Sequence, residues 1–381
     1  MLPQPERLLE ENWDDGLRYT EERGEPKLSF PRRRCALWSG EHPEPVSRLG
    51  LLTLELRFGA TALPVEGYEG VSTPPQHRRR GYMARLLRRS LASARRRVSV
   101  VCLFGIDDFY PRYGFVTCVA DSELRVSLDD ARRLGGVGDD AVRGGGCADL
   151  PAMRALYNRV HATRPWTAVR GPAWDRVPRE GEWQSGSEVH LVERDGMLQG
   201  YVVLRSGLFG WRSRCFELRE IVARDTATAA LLLAFALDRA RQLNYDRITV
   251  HEAPDSVVAQ VARSVGCEQV NRYWASGGGM GRIVDRERFV DAIAAELVRR
   301  ARAAGVAESA AAPALAALRD GALVPDDGDL LRLVVGYRRL DEVAAERQGG
   351  TDPERAVATA WFPGGGGAVL PVPFAHHLDH Y

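Results

Sequence analysis

Between Gly70 and Gly105 the sequence leaves few choices of local structure. "GVST" closes a strand-like run, and "PPQHRRRG" makes a loop. Gly81–Arg97 reads as a helix, and "VSVVCLF" at 98–104 reads as a short buried strand. In the helix, Met83, Leu86, Leu87 and Leu91 recur at three- and four-residue spacings, with arginines on the opposite face. Strand, helix, strand is a βαβ pattern, whose two strands run parallel or nearly so. An α/β architecture is therefore expected.

Upstream, "RLGLLTLELRFGATALPVEGYEGVSTPP" reads as strands separated by turn glycines, so that residues 1–140 make a first unit. "PERLLEENWDDGLRYTEERGE" before it shows little helical periodicity. The glycine-rich "VGDDAVRGGGCADL" (137–150) is the expected boundary. Residues 141–275 repeat the plan. "DLPAMRALYNRVHA" reads as a helix, and "EVHLVERDGMLQGYVVLRS" as a hairpin turning at Asp195-Gly196. A strand "FELREIVA", a helix over 226–242, a strand "RITVHEAP" and a helix "DSVVAQVARSV" follow. Residues 69–91 and 219–239 share the order strand, short loop, helix, with "ARDTATAA" where the first copy has "PPQHRRRG". This reads as an internal duplication whose second copy lost its charged loop. The third segment, 276–381, contains a strand-like "LLRLVVGY" and a helix-like "RLDEVAAER", and ends in "TAWFPGGGGAVLPVPFAHHLDHY".

With 381 residues the chain has room for two or three domains, and 45% hydrophobic content supports real cores. Net charge is +1, so the chain as a whole is no polyanion binder. Its basic residues are nearly all arginine, Lys27 being the lone lysine, which base composition explains. Cys35, Cys102, Cys118, Cys147, Cys215 and Cys267 form no CxxC pair, which argues against a zinc knuckle or a disulfide framework; most read as core thiols. There is no signal-like N-terminus and no apolar run of membrane length, so a soluble, cytoplasmic protein is expected.

The arginine loop carries the chemistry. A helix N-terminus presents free N–H groups and the positive end of its dipole, a ready site for anions. Gly81 leaves the backbone bare of a Cβ there, and Arg78, Arg79 and Arg80 add forked donors. Together they suit a diphosphate. No GKS or GKT and no GxGxxG is present, so this is neither a Walker loop nor a dinucleotide fingerprint. "ARRR" at 94–97 reads as a solvated face, and His77 as a solvent-facing loop residue. His190 and His251 read as structural, and nothing has metal-ligand spacing. Asp107 and Asp108 suit either attraction of a cationic amine or capping of their loop. Trp166, Trp174 and Trp183 suit either an acceptor pocket or a core.

"VSTPPQHRRRGYMARLL" resembles the coenzyme A loop of the Gcn5-related N-acetyltransferases, with Arg78-x-x-Gly81-x-Met83 in place of the general motif. The arginine-rich form, the segment "LFGIDDFYPRYGFV" (103–116), the duplication and the ending Asp379-His380-Tyr381 are similar to the enhanced-intracellular-survival branch. That resemblance implies two acetyltransferase-like mixed-sheet units in tandem, 1–140 catalytic and 141–275 degenerate, followed by a sterol-carrier-like α+β domain at 276–381. It implies acetyl-CoA as acetyl donor. The donor's contacts would come from Val71, Ser72 and Thr73, from Arg78 to Ala84 including Tyr82 and Met83, and from Gly105 and Ile106, the two strands splaying apart around it. Tyr110 matches the family's general acid: a phenol's reference pKa near 10 lies above a thiol's near 8.5. The chain-terminal carboxylate, here Tyr381, matches the branch's base, with Asp379, His377 and His380 close enough in sequence to substitute. The short N-terminal part implies an abbreviated lid over the acceptor.

The function expected is therefore acetyl transfer to a primary amine, on a small polycationic acceptor or a lysine-type group. The alternative is an apolar-ligand-binding protein that uses the third domain. A nucleic-acid binder is disfavoured by the near-zero net charge and the lack of interleaved aromatics, and no membrane partner is expected. The branch includes ring-shaped assemblies, so a homo-oligomer is compatible, although no interface signature stands out.

Overall fold

The computed structural model describes residues 6–27, 30–40, 42–129, 134, 141–176, 187–205, 215–343 and 349–362. In chain order these form β1 Arg7–Asn12, β2 Leu17–Lys27, β3 Phe30–Ser39, β4 Ser47–Phe58, β5 Thr61–Ser72, α1 Tyr82–Ala94, β6 Val100–Gly105, β7 Val116–Val119, β8 Asp121–Ser127 and β9 Arg143–Gly144. There follow α2 Leu150–Val160, β10 Ser187–Arg194, β11 Met197–Arg205, β12 Cys215–Ala223, α3 Thr226–Gln242, β13 Arg247–His251, α4 Val257–Val265, β14 Glu268–Arg272 and β15 Gly278–Ile283. The chain then continues through α5 Arg286–Ala303, α6 Glu308–Arg319, α7 Asp327–Val335 and α8 Asp352–Trp361. No helix among the described residues is long and apolar enough to cross a membrane.

The chain divides into two units. The first holds the residues through Val119 together with those from Trp274 onward; the second holds Ala120–Tyr273. The first is built on a sheet of order β1-β2-β3-β4-β5-β6-β15-β7. β5 and β6 pair in parallel, as the βαβ reading requires. α1 connects them and buries Leu86, Leu87 and Leu91 in one core with Tyr19, Leu37, Leu49 and Tyr68. Each fully buried leucine contributes about 1.5–3 kcal/mol. The outer face of α1 is tied to the N-terminal hairpin: Arg85 pairs with Asp15 and lies over Trp13, and Arg89 Nε donates to Glu11 at 2.6 Å. The N-terminal segment is thus strand, consistent with its missing helical period.

The second unit has a sheet of order β14-β8-β13-β12-β11-β10-β9. β12 and β13 pair in parallel around α3, the same βαβ unit again. The β10–β11 hairpin turns through Asp195 and Gly196, both at positive φ (52° and 69°), the conformation that an Asp-Gly turn supplies. Its core joins Leu232, Leu233 and Leu237 of α3 to Phe216, Leu218 and Ile248.

Several expectations need correction. The hand-over to the second unit falls at Val119/Ala120, and β8 and β9, both placed before residue 145, already belong to the second sheet. The first strand of the expected third segment, β15, belongs to the first sheet: it pairs with β6 from Ile283↔Val100 to Gly278↔Gly105, and with β7 on its other side. "LLRLVVGY" is mostly helix: α7 buries Leu330, Leu331, Leu333, Val334 and Val335. Of "RLDEVAAER" the described part makes only a 3-10 turn at Leu340–Glu342. Beyond Ile283 the described residues are helical without strands, so the α+β character expected of 276–381 does not appear among them.

Candidate active site

The parallel ladder between β5 and β6 runs from Val65↔Val100 to Tyr68↔Leu103 and goes no further, although β5 continues to Ser72. The two strands separate there. Past β5 the chain makes a 3-10 turn at Pro75–His77 and enters α1 through Arg79 and Gly81, at φ 63° and 77°. Left-handed backbone costs about 1–2 kcal/mol for residues other than glycine. A Cβ on Gly81 would meet nothing within 4 Å, so conformation rather than crowding demands glycine. Arg78 Nε donates to the Thr73 carbonyl at 3.1 Å and braces the loop on the end of β5.

α1 starts without a side-chain cap. Among the described residues, no protein acceptor meets the main-chain N–H groups of Arg79 through Ala84. Those donors stand at the positive end of the helix dipole with none of the described residues to satisfy them.

A cleft of about 700 Å³ opens there. Val71, Ser72 and Thr73 line it from the end of β5; Arg78, Arg79, Gly81, Tyr82, Met83 and Ala84 line it from the loop and helix; Ile106 lines it from the chain after β6. The structure thus gathers most of the residues singled out from the sequence, and Tyr110 with them. Arg80 is exposed and is not part of the lining. Gly105 is not part of it either. It lies behind Tyr110, where a Cβ would come within 2.6 Å of Met280 Sδ and 2.8 Å of Tyr110 Cδ2.

Tyr110 is 7% exposed and stands edge-on to Phe109 (centroids 4.9 Å) and Phe115 (5.9 Å). Burial, with Tyr113 adding to it, pushes its pKa above the usual phenol value. The phenol is therefore protonated at neutral pH and can only give a proton.

His77, Phe109, Arg112 and Tyr113 complete the lining. Phe109, Arg112 and Tyr113 lie inside the quoted "FYPRYGF" segment, so that stretch already contained them. His77 carried no such signal. The turn at Pro75 folds it inward to 8% exposure, between His42 and Tyr82, which corrects the solvent-facing reading. Arg97 is corrected too: its Nε donates to Glu66 at 2.6 Å and its Nη2 at 3.1 Å, a forked pair at the end of α1 rather than a solvated charge. Asp108 serves its turn, at φ 57° and with its N–H donating to Ser276 Oγ at 2.9 Å.

The second βαβ unit differs in a way that chemistry explains. Its ladder also stops early, at Leu218↔Val250. Two residues beyond the last pair, the first unit has Gly70 and Gly105, and the second has Glu220 and Glu252, both buried. Glu220 receives Arg170 at 2.8 Å, and both side chains are fully buried; the guanidinium sits 3.5 Å over the Tyr157 ring. Its helix is self-capped: Asp225 accepts from the Thr228 N–H at 2.7 Å. The second unit fills with its own side chains the places that are open in the first. Trp166 and Trp174 are core residues of it. Trp183, His377, Asp379, His380 and Tyr381 lie outside the described residues.

Comparison with known proteins agrees with this geometry. Residues 12–118 match the family described as the acetyltransferase (GNAT) domain. An uncharacterized N-acetyltransferase of Streptomyces avermitilis is 28% identical over 253 residues, 61% of this chain and 60% of the relative. Another from Streptomyces coelicolor is 26% identical, over 56% of this chain and 55% of its own length. The matches thus span well under two thirds of these relatives. Among solved structures, Eis1 from Mycobacterium abscessus has a TM-score of 0.62 at 18% identity and covers 93% of each chain. A GCN5-related N-acetyltransferase from Kribbella flavida has a TM-score of 0.54 at 22% identity, over 68% of this chain and 62% of that one. At such identities the likeness is one of fold: a mixed α/β architecture with two mixed sheets.

Proposed function

We propose that this chain is an N-acetyltransferase that passes acetyl from acetyl-CoA directly to a primary amine, with the cleft of the first unit as its active site. The observation that carries the reading is the head of α1: a run of main-chain donors without protein acceptors, flanked by Arg78 and Arg79, beside a gap between parallel strands. These residues fit the donor's diphosphate, and the open space at Gly81 leaves the backbone approachable.

Acetyl-CoA, when bound, supplies an activated thioester. Arg78, Arg79 and the α1 N–H groups hold the anionic end, and Val71 to Thr73 orient the arm where β5 and β6 part. Tyr110 keeps a proton on its Oη that the sulfur can take as the thiolate leaves. Burial of that phenol favours the protonated form, so the donor is ready at any physiological pH. By resemblance we assign removal of the amine's proton to the segment that carries Tyr381. The acceptor is then a small polycationic amine or a lysine-type group, and the enzyme works in the cytoplasm.

Acetyl-CoA at about a hundred times its dissociation constant should add about 2.7 kcal/mol of stability, visible as a higher melting temperature. A panel of amines assayed by thiol release should then reveal the acceptor. Tyr110→Phe should lower kcat by about 10²–10⁴ with acetyl-CoA affinity nearly unchanged. An absent thermal shift, or full turnover in Tyr110→Phe, overturns the assignment.

A further inference from the structure

His77 is the residue of the cleft that neither the arginine loop nor the acid at Tyr110 accounts for. It is 8% exposed, yet it lines the cleft beside Arg78, Arg79 and Tyr82. Its Nδ1 is buried without a hydrogen-bond partner among the described residues. A buried polar atom left unpaired costs about 1–3 kcal/mol, so such an atom at the rim of an anion site calls for an explanation.

Its surroundings are one-sided in charge. His42 meets the ring edge-on at 4.9 Å from the loop before β4, and Tyr82 lies 6.4 Å away on the first turn of α1. Arg78, Arg79 and Arg80 follow it directly in the chain, and the positive end of the α1 dipole comes next. Burial first, then His42 and Arg80, hold its pKa below the usual imidazole value. Among the described residues, the charged groups that act on this ring, His42 and Arg80, oppose a second proton. An anion among the same donors reverses that balance, because a nearby negative charge favours the imidazolium.

We infer that His77 is a proton-linked neighbour of the phosphate groups bound at the head of α1: it takes up a proton from solvent as they arrive, because their charge favours the imidazolium. The inference rests on the acetyl-CoA reading above and adds to it a positioning residue and a pH dependence. The linkage is reciprocal. If the bound anion raises the affinity of His77 for a proton, protonation raises the affinity of the site for the anion by the same factor. Affinity therefore rises as pH falls through the imidazole range and levels off above it. The rise is up to about tenfold for each pKa unit separating the bound from the free protein.

The test is calorimetry on the full chain with dephospho-CoA, between about pH 5.5 and about pH 8. This probe keeps the diphosphate and lacks the 3′-phosphate, whose own pKa near 6 would confuse proton counting. The wild type should bind with net proton uptake, read as heat that varies with the ionisation enthalpy of the buffer, and should bind tighter at the lower pH. His77→Gln and His77→Asn should bind with little uptake and a flat pH profile, while His42→Gln, which lifts one of the charges that oppose the proton on His77, should keep an uptake smaller than the wild type's. The wild-type measurement needs no variant to fold. Equal uptake in wild type and both His77 variants, or none in wild type, overturns the inference and leaves the cofactor reading standing. No binding of dephospho-CoA or of acetyl-CoA at any pH overturns both.

Discussion

Tyr110 and Gly105 are coupled side chain to backbone. The glycine is needed because the tyrosine ring and Met280 already occupy the space a Cβ would fill. Gly105→Ala should push the ring aside. Misplacing a reacting group by about 1 Å costs about 10² in rate, so turnover should fall by about 10–100-fold while acetyl-CoA affinity by calorimetry stays put. Both residues were legible in the sequence, but the reason for Gly105 was not: it was expected to touch the donor, and it is not part of the cleft lining but backs the Tyr110 ring. Contacts that come from a strand far along the chain, as Met280 does, leave no trace in a local motif. The inward turn of His77 was hidden for the same kind of reason, since three residues of 3-10 helix show no period. Glu252 offers a measurement of its own. Burial pushes its pKa up to about 7, so folding favours its protonated form. The stability this gives is complete below the usual carboxylate pKa and is lost as pH rises through about 7. Denaturation curves should show the wild type losing stability across that window. Glu252→Gln should lack this loss, because the amide oxygen can still accept from the Ala253 N–H that Oε1 now holds at 2.8 Å.

At the scale of elements, the two βαβ units share a plan and differ at the helix head. α1 opens through Gly81 with its donors unmet, whereas α3 closes its first turn with Asp225. Asp225→Ala should therefore lower stability by about 0.5–2 kcal/mol, measured by denaturant titration, without touching acetyl-CoA binding. Losing the cap would not open a comparable cleft, because Glu220, Glu252 and Arg170 are buried where the strands part. α3 was readable in advance because its apolar run is long and starts after a capping residue. α7 was not. Its buried residues, Leu330, Leu331, Leu333, Val334 and Val335, leave almost no polar face, and without one the helical and strand periods cannot be told apart. The usable cue was Asp326, whose side chain accepts from the Asp329 N–H at 2.7 Å and marks a helix start.

For the whole molecule, sequence order and spatial membership part company. The boundary was sought in the glycine-rich stretch at 137–150. The chain in fact changes unit within the short, glycine-free link from Val119 to Asp121, because β7 closes one sheet and β8 opens the next almost at once. Composition marks exposed loops, and nothing in composition marks a strand that returns. β15 is such a strand: it enters the first sheet between β6 and β7 only after the whole second unit has been spelled out. A fragment ending at residue 140 would hold β1–β7 yet leave β6 and β7 with no partner between them. Expressed alone, it should aggregate or lack dispersed amide signals in NMR, whereas co-expression with residues 274–381 should recover soluble material. On the ribosome the same topology imposes a wait. Until Ile283 has emerged, the first unit of the nascent chain has two strand edges, those of β6 and β7, that wait for β15, so its maturation cannot be completed before the inserted unit has been synthesised.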